Sequence, residues 1–335
     1  MTRDQARELL SQHFGYDEFL PGQQDVIEHL LAGQSAAAVF PTGGGKSLCY
    51  QLPALALPGL TVVVSPLIAL MKDQIDRLRK RGIAAARVDS SQSAEETAAT
   101  MKQVRDGSLR LLYAAPERFN NERFRETIEH VQVSLFAVDE AHCISEWGHN
   151  FRPDYLKLAQ FADRCRAERR LALTATATPA VLDDVCRGFG IDRSCAVRTG
   201  FYRPNLTLRF TPIAAADRDA ALIAKLRARP PGPTIVYVTL QRTAEEAARR
   251  LSSAGFDARP YHAGMETDER TAVQEWFLSS DRGTVVATIA FGRCCRHQVS
   301  AVTGLAISTV IRVRRKPIRP AGRLRLRCRW PRAAS

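Results

Sequence analysis

The chain has 335 residues, of which 45% are hydrophobic and 25% charged, a composition typical of a globular protein long enough for two domains. It contains no 18-residue apolar stretch, and its first residues, MTRDQARELL, lack the apolar core of a signal peptide. These features argue against membrane-spanning and exported proteins, so we expect a cytoplasmic protein without a membrane partner. The net charge of +13 comes from residues 293–335, which carry eleven arginines, one lysine and no acidic residue, so it predicts no basic face elsewhere.

The eight cysteines are scattered along the chain, and only Cys294 and Cys295 are adjacent. Their spacing does not match a set of zinc ligands, and intracellular thiols are kept reduced. We therefore expect cysteines that pack in the interior, without a disulfide framework.

Residues 1–33 have a helical pattern that is interrupted near Gly15 and again at Pro21-Gly22. From Ser35 to about Gly190, short apolar segments alternate with amphipathic ones. The apolar segments predict strands at Ala36–Phe40, Leu60–Ser65, Ala84–Val88, Leu109–Ala114, Leu135–Val138 and Leu171–Thr174.

Two of the intervening segments have recognisable helix boundaries. Leu67–Arg81 is followed by Gly82, which suits the left-handed residue after a helix. Ala94–Arg105 is preceded by Ser93, with Glu96 three residues later, as in a capping box. This alternation predicts the α/β class, with a mostly parallel sheet covered by helices. Ligands of such sheets bind at the carboxyl ends of the strands.

A glycine-rich segment, FPTGGGKS, links the first predicted strand to a helical segment, Ser47–Leu52. Glycines let backbone N–H groups close around a phosphate chain at a helix N-terminus. Lys46 can then reach the β- and γ-phosphates, and the Ser47 hydroxyl can bind Mg²⁺. Phe40 stands where the general P-loop pattern has its first glycine, and the alternative is a glycine turn with a solvated lysine. The predicted nucleotide-binding residues are Thr42, Gly43, Gly44, Gly45, Lys46 and Ser47.

Asp139 and Glu140 directly follow the apolar segment Leu135–Val138. A carboxylate at the end of a strand, opposite a P-loop, can hold Mg²⁺ through water, and its neighbour can orient the attacking water. We assign Asp139 to the metal and Glu140 to the water, and the alternative is a pair of solvated acids. His142, taken alone, is more often structural than functional.

The next segment, His142–Tyr155, combines aromatic residues with glycine, proline and arginine. Loop aromatics beside an arginine suit base stacking and phosphate contact on a single strand, whereas other aromatics commonly pack between elements. Both interpretations stay open for this segment alone. The residues assigned to DNA binding and coupling here are Trp147, His149, Phe151 and Arg152.

A second alternating block follows Arg203-Pro204-Asn205. It ends by Gly292, which is short for an independent α/β domain. We therefore predict a first domain at 1–205 and an incomplete second domain at 206–292. Its predicted strands are Thr234–Val238, Ala258–Tyr261 and Thr284–Thr288, and its predicted helices are Ala244–Ser253, with Thr243 and Glu246 as a capping box, and Asp268–Leu278.

From Arg293 onward the acidic residues disappear and arginine dominates. An arginine-rich arm for nucleic acid or membranes is one interpretation. A disordered segment is another, and the one we prefer is out-of-frame translation of a high-GC gene. We therefore expect residues 293–335 to be disordered.

Together these motifs resemble the RecQ family of superfamily 2 DNA helicases, in particular its bacterial members. The matching blocks run almost continuously from Phe14 to Gly292. They are FGYDEFLPGQQ at 14–24, PTGGGKSLCYQLPAL at 41–55, VVVSPLIALMKDQ at 62–74, YAAPER at 113–118, the DEAH block with its aromatic loop, LALTATAT at 171–178, RPNL at 203–206, YHAGM at 261–265 and VVATIAFG at 285–292.

The resemblance implies tandem RecA-like domains and an Mg²⁺-ATP-driven 3′→5′ helicase for single-stranded and forked duplex DNA. It further implies a role in DNA recombination and repair at the nucleoid. Gln23 would read adenine, since an amide offers both donor and acceptor, and Tyr16 would stack on the base. Leu20 stands where the family usually has arginine. The remaining matches are His142 in the ATP site, Trp147, Phe151 and Arg152 in the DNA-coupling loop, and Thr174 and Thr176 in the interdomain signalling stretch.

After Gly292 the chain departs from the family, which continues with Met-Gly-Ile-Asp-Lys and later carries Gln-x-x-Gly-Arg-x-Gly-Arg. That later block supplies an arginine finger, worth ~10³–10⁵ in turnover. The family's zinc-binding cysteine cluster is also missing, so zinc is not expected, and the shortened second sheet should leave edges and apolar faces exposed. Three hypotheses follow: an active helicase, a module that binds ATP and DNA without unwinding, and an inactive fragment of an interrupted gene.

Overall fold

The computed structural model describes residues 3–145, 153–200, 211–229, 232–288, 291 and 309–312. The described residues up to position 212, together with Phe291, form one compact unit. Those at 213–288 and 309–312 form a second unit. Within the described part of the chain, no helix is both long and apolar enough to cross a membrane.

A parallel sheet, seven-stranded over the described residues, forms the first unit, in the order β3-β4-β2-β5-β6-β1-β7. Its central strands are predominantly apolar and are buried along their whole length, as expected where helices cover both faces of a parallel sheet. The strands are β1 (Ala36–Val39), β2 (Leu60–Val64), β3 (Ala85–Val88), β4 (Leu111–Ala114), β5 (Val133–Val138), β6 (Arg170–Thr174) and β7 (Ala196–Arg198).

Helices of the first unit connect these strands. The chain enters through one helix and a π-helical turn, Leu10–Phe14, which ends at Gly15 with a φ of 71°. The interruptions predicted at Gly15 and at Pro21-Gly22 are thus confirmed. The helices are α1 (Arg3–Leu9), α2 (Gln23–Leu31), α3 (Leu48–Gln51), α4 (Pro53–Ala56), α5 (Ile68–Lys80), α6 (Ala94–Arg105), α7 (Glu122–Glu129), α8 (Pro153–Arg164) and α9 (Pro179–Phe189).

An aromatic cluster fills one face of the first sheet. The Phe119 ring lies edge-on to Phe124, Phe136 and Phe161, with centroid distances of 5.2, 5.9 and 5.0 Å. The opposite face is buried by α2, α3 and α5 through residues such as Ile27. The apolar core therefore holds the carboxyl ends of β1, β5 and β6 in fixed positions at one edge of the sheet.

The predicted elements of the first unit are confirmed, with strand boundaries displaced by no more than two residues. The capping box of α6 is also confirmed: Ser93 Oγ accepts from Glu96 N at 3.1 Å, and Ser93 N donates to Glu96 Oε2 at 2.9 Å. Strand β7 was not predicted, because a three-residue segment is too short to show a periodic pattern.

The second unit contains a four-stranded sheet, again counted over the described residues, in the order β11-β8-β10-β9. The first three of its strands in sequence are parallel, and the last is antiparallel to β8. Its strands are β8 (Thr234–Tyr237), β9 (Ala258–Tyr261), β10 (Thr284–Ala287) and β11 (Thr309–Arg312), and its helices are α10 (Arg218–Arg227), α11 (Gln241–Ser253) and α12 (Thr267–Ser279).

The capping box predicted for α11 is wrong. The helix begins at Gln241, with Leu240 in the extended conformation before it and no side-chain cap. Thr243 is therefore inside the first turn and cannot act as the N-cap. Glu246 instead accepts a hydrogen bond from Arg242 Nε at 2.7 Å, an i,i+4 pair on the helix surface.

Two features of the second sheet bear on its expected open edges and faces. Thr309–Arg312 pairs with β8, because β-branched residues suit the open edge of a neighbouring strand. The rest of 293–335, where disorder is expected, lies outside the described residues. Apolar faces are not exposed at β8: Val236 packs against α10 and α11, and Ile235, on the other face, is also buried.

The five described cysteines are buried, namely Cys49, Cys143, Cys165, Cys186 and Cys195, which confirms their expected role in packing. Burial raises the pKa of the Cys49 thiol to about 12, although the Lys46 charge opposes the shift. This thiol, one turn beyond the glycine-rich loop, is therefore neutral at physiological pH.

Candidate functional site

The glycine-rich loop leaves β1 and turns into α3. Gly44 N donates to Pro41 O at 2.8 Å, and Leu48 N donates to Gly45 O at 3.1 Å. Gly43 and Gly45 have φ angles of 84° and 69°, the left-handed region that glycine adopts without steric cost. The tight turn thus depends on glycine at these two positions.

The side chain of Lys46 folds back toward the first residues of this loop. Its Nζ donates to Phe40 O at 3.1 Å and to Pro41 O at 3.5 Å. The next residue, Ser47, precedes α3, and its Oγ accepts a hydrogen bond from Gln74 Nε2 at 3.3 Å. The loop therefore presents a cation and a hydroxyl beside its backbone N–H groups.

Gln23 ties the start of α2 to the same loop. The side chain is 3% exposed, its Oε1 accepts from Leu20 N at 2.7 Å, and its Nε2 donates to Gly45 O at 2.9 Å. A primary amide has a second N–H and a second lone pair for a further partner. Tyr16 is 54% exposed, which leaves its ring accessible for stacking.

The two carboxylates follow β5. Asp139 N donates to Val64 O at 2.8 Å, and Asp139 O accepts from the Tyr155 hydroxyl at 3.2 Å, so strand pairing and α8 both hold this residue. Glu140 is buried and has a φ of 53°. A non-glycine residue in the left-handed region stores strain of order 1–3 kcal/mol, a feature common at functional sites.

His142 connects Glu140 to the end of β6. The Thr174 hydroxyl accepts from Thr176 N at 3.2 Å, and it lies 3.1 Å from Thr176 O and 2.9 Å from His142 Nδ1. His142 Nδ1 is also 3.4 Å from Glu140 Oε2, so a proton on Nδ1 would have two acceptors, the hydroxyl and the carboxylate. This path of contacts, here called the relay, connects Glu140 through His142 to Thr174 and Thr176.

A cavity of about 480 Å³ lies between these segments, within the usual size range of small-molecule sites. It brings together most of the predicted nucleotide and metal residues. Gly44, His142, Thr174 and Thr176 do not line it, and Trp147, His149, Phe151 and Arg152 lie outside the described residues. The predicted residues in its lining are Tyr16, Gln23, Thr42, Gly43, Gly45, Lys46, Ser47, Asp139 and Glu140.

The oxygen donors of the cavity fit a magnesium ion that also binds phosphate. Among the described residues, no group of three or more His, Cys, Asp or Glu side chains could hold a metal unaided. Ser47 and Asp139 nevertheless line the same cavity. Mg²⁺ commonly takes one or two protein oxygens and completes its shell with water and phosphate, so this sparse set fits.

Sequence reasoning missed a polar group beneath the loop. Gln51 Nε2 donates to Gln74 Oε1 at 2.7 Å and to the Tyr113 hydroxyl at 3.3 Å. Burial, with the Asp139 charge adding to it, raises the pKa of Tyr113 to about 12 and that of Tyr50 well above its usual value. Glutamines inside otherwise apolar segments were the available signal, because a buried amide needs partners.

The fold and these motifs define a helicase domain of the DEAD/DEAH class, and the family model for the DEAD/DEAH box helicases matches residues 20–185. The ATP-dependent DNA helicase RecQ of Bacillus subtilis (strain 168) is 41% identical over 289 residues, which cover 86% of this chain and 49% of that protein. RecQ of Pasteurella multocida (strain Pm70) is 40% identical over 86% of this chain and 45% of its own length.

The first unit of this chain contains a DEAD/DEAH box helicase domain, and the chain is similar to RecQ helicases over 86% of its length. It spans about half the length of the curated relatives it matches. A crystal structure of the helicase MrfA bound to DNA, 18% identical, covers 86% of this chain and 42% of MrfA with a TM-score of 0.64. That likeness confirms the predicted α/β fold, with helix-covered parallel sheets of the RecA-like kind.

Gly45→Ala should destabilise the first unit more than Gly107→Ala does. Both glycines have φ near 70°, where alanine costs about 1–2 kcal/mol. A Cβ at Gly107 meets nothing within 4 Å, whereas one at Gly45 would clash with Gln23 Nε2 and displace the amide. The lost hydrogen bond adds about 1 kcal/mol, measurable by urea unfolding. Equal losses in both variants would contradict this account of Gln23.

Proposed function

We propose that this chain binds Mg²⁺-ATP in the cavity of the first unit, as the nucleotide-binding part of a RecQ-type helicase that couples ATP hydrolysis to 3′→5′ movement on single-stranded DNA. The movement would unwind forked duplexes during DNA recombination and repair, in the cytoplasm at the nucleoid. One observation carries the proposal: Lys46, Ser47, Asp139 and Glu140, from two separate motifs, line a single cavity.

The residues expected around the phosphates have different roles, which follow from the chemistry of their side chains. The loop N–H groups and Lys46 bind the phosphates, since both are donors beside a developing negative charge. Ser47 and Asp139 hold magnesium, which when bound neutralises phosphate charge. Glu140 accepts a proton from the attacking water and orients it.

In the same cavity, Tyr16 and Gln23 would recognise the base. The exposed Tyr16 ring offers a stacking surface, and the remaining hydrogen-bonding positions of the Gln23 amide suit an adenine edge. Leu20 also lines the cavity and contributes an apolar contact in place of a charge.

The relay from Glu140 through His142 to Thr174 would report the state of the nucleotide to the rest of the protein. Any movement of the carboxylate changes the acceptor set of His142 Nδ1, and thereby the hydrogen bonds at Thr176. We propose that this path, together with Trp147, His149, Phe151 and Arg152, couples hydrolysis to DNA. The proposed domains are 1–205 and 206–292, with 293–335 as a tail outside the family pattern.

The residues after Gly292 support a second candidate function. Arg293-Cys294-Cys295-Arg296 replaces the family continuation, and residues 293–335 do not contain the arginine-finger block. An arginine finger is worth about 4–7 kcal/mol of barrier. The alternative is therefore a fragment that binds ATP and DNA without unwinding.

Three assays on the purified chain distinguish the two functions. Binding of a fluorescent ATP analogue tests the cavity, DNA-stimulated phosphate release tests hydrolysis, and strand separation of a forked duplex tests the motor. We expect binding and no detectable unwinding from this chain. Robust unwinding would establish the helicase function in full, and absence of nucleotide binding would exclude both functions.

We also expect another reading frame near codon 293 to encode a Met-Gly-Ile-Asp-like continuation.

A further inference from the structure

The polar group beneath the glycine-rich loop is a hydrogen-bonded chain of four side chains. Starting from Ser47, hydrogen bonds connect Gln74, Gln51 and Tyr113 in turn, at 3.3, 2.7 and 3.3 Å. The members come from β4, the loop, α3 and α5.

Three members of this hydrogen-bonded chain are buried, although Ser47, Gln51 and Gln74 also line the cavity. Gln51 and Gln74 are 6% and 7% exposed, and Tyr113 is buried as well. Burial raises the pKa of Tyr113 to about 12, so its phenol remains an uncharged donor and acceptor at physiological pH. Such an arrangement is rigid, since each buried group that breaks its bond loses a partner it cannot replace with water.

The direction of each bond can be assigned. Gln51 Nε2 donates to Gln74 Oε1, so the Gln74 amide must turn its Nε2 toward Ser47. Gln74 Nε2 then donates to Ser47 Oγ and occupies one of its two lone pairs. The second lone pair of Ser47 Oγ is available to a cation in the cavity.

We propose that Gln74, held by Gln51, is a positioning residue that orients the Ser47 hydroxyl for magnesium. The inference rests on the proposed nucleotide function and deepens it, because it names the residues that prepare the metal ligand. Gln74 acts through Ser47, in the manner of groups that orient first-shell ligands at metal sites. A residue of this kind changes the response to metal and leaves metal-independent contacts with the nucleotide intact.

The test compares the full chain with Gln74→Met, which keeps the length of the side chain and removes the donor. Binding of a fluorescent ATP analogue is titrated with Mg²⁺, and repeated in EDTA. Because loss of an outer-shell partner costs ~10–100-fold in metal affinity, we expect the half-saturating Mg²⁺ concentration to rise at least about tenfold. Affinity in EDTA should stay within about twofold.

Gln103→Met is the matched control, since Gln103 is exposed on α6 and the chemical change is the same. Gln74→Asn, whose amide is one methylene too short to reach Ser47, takes the place of Gln74→Met if the latter does not melt cooperatively. An unchanged Mg²⁺ requirement in the Gln74 variants overturns the positioning role alone. Absence of binding by the unmodified chain overturns the proposed function together with it.

Discussion

Lys46→Ala is expected to lower the affinity of the chain for ATP by about 10–150-fold. A hydrogen bond to a charged partner contributes about 1.5–3 kcal/mol, which converts to that range. The Nζ of Lys46 lies at the carbonyls of Phe40 and Pro41, next to loop N–H groups that would hold the same phosphates. Equilibrium binding of a fluorescent ATP analogue, measured with saturating Mg²⁺, reports the change.

Lys72→Ala controls for the loss of one positive charge. Lys72 is exposed on α5, the helix that carries Gln74. We expect its affinity to remain within about twofold, because exposed charges at this range are screened by salt. Should both lysine variants lose affinity equally, the contribution of Lys46 would be general electrostatics, and the phosphate-binding role of the loop would be wrong.

Glu140→Gln is expected to reduce the rate of ATP hydrolysis by about 10²–10⁴-fold while nucleotide affinity stays within twofold. A positioned base contributes that much to a proton-transfer step, and an amide cannot take the proton of the attacking water. The amide oxygen can still accept from His142 Nδ1, 3.4 Å from the carboxylate, so the relay keeps its geometry. Single-turnover hydrolysis of radiolabelled ATP, with protein in excess and DNA present, is sensitive enough to measure the slow hydrolysis expected of this chain.

Glu18→Gln is the control for Glu140→Gln. Glu18 lines the same cavity, is exposed, and undergoes the same change of charge. It should hydrolyse ATP like the unmodified chain. If Glu140→Gln hydrolyses ATP at the unmodified rate, then the water-orienting role belongs to another group, and the assignment from the DEAH motif fails.

Local patterns were sufficient for most of the fold. The strands from Ala36 to Thr174 were predictable because each is a short apolar run between turn residues, and the α6 capping box because Ser93 and Glu96 interact across three residues. The capping box of α11 failed within such a window, because the helix begins at Gln241, before Thr243. Other features depend on partners much farther along the chain. Thr309–Arg312 becomes a strand through the edge of β8, more than seventy positions earlier in the chain.

The same distinction holds within the site. The phosphate-binding and metal-binding roles of Lys46, Ser47 and Asp139 could be predicted from the sequence. Each of these residues belongs to a short, contiguous motif that follows a strand. The His142–Thr174 hydrogen bond spans 32 positions, and the Gln51–Tyr113 bond spans 62. Contacts of that range arise when the parallel sheet stacks separate segments, since packing against a shared core determines which polar groups meet. Chain pattern thus specifies which groups carry the chemistry, and packing specifies which neighbours orient them.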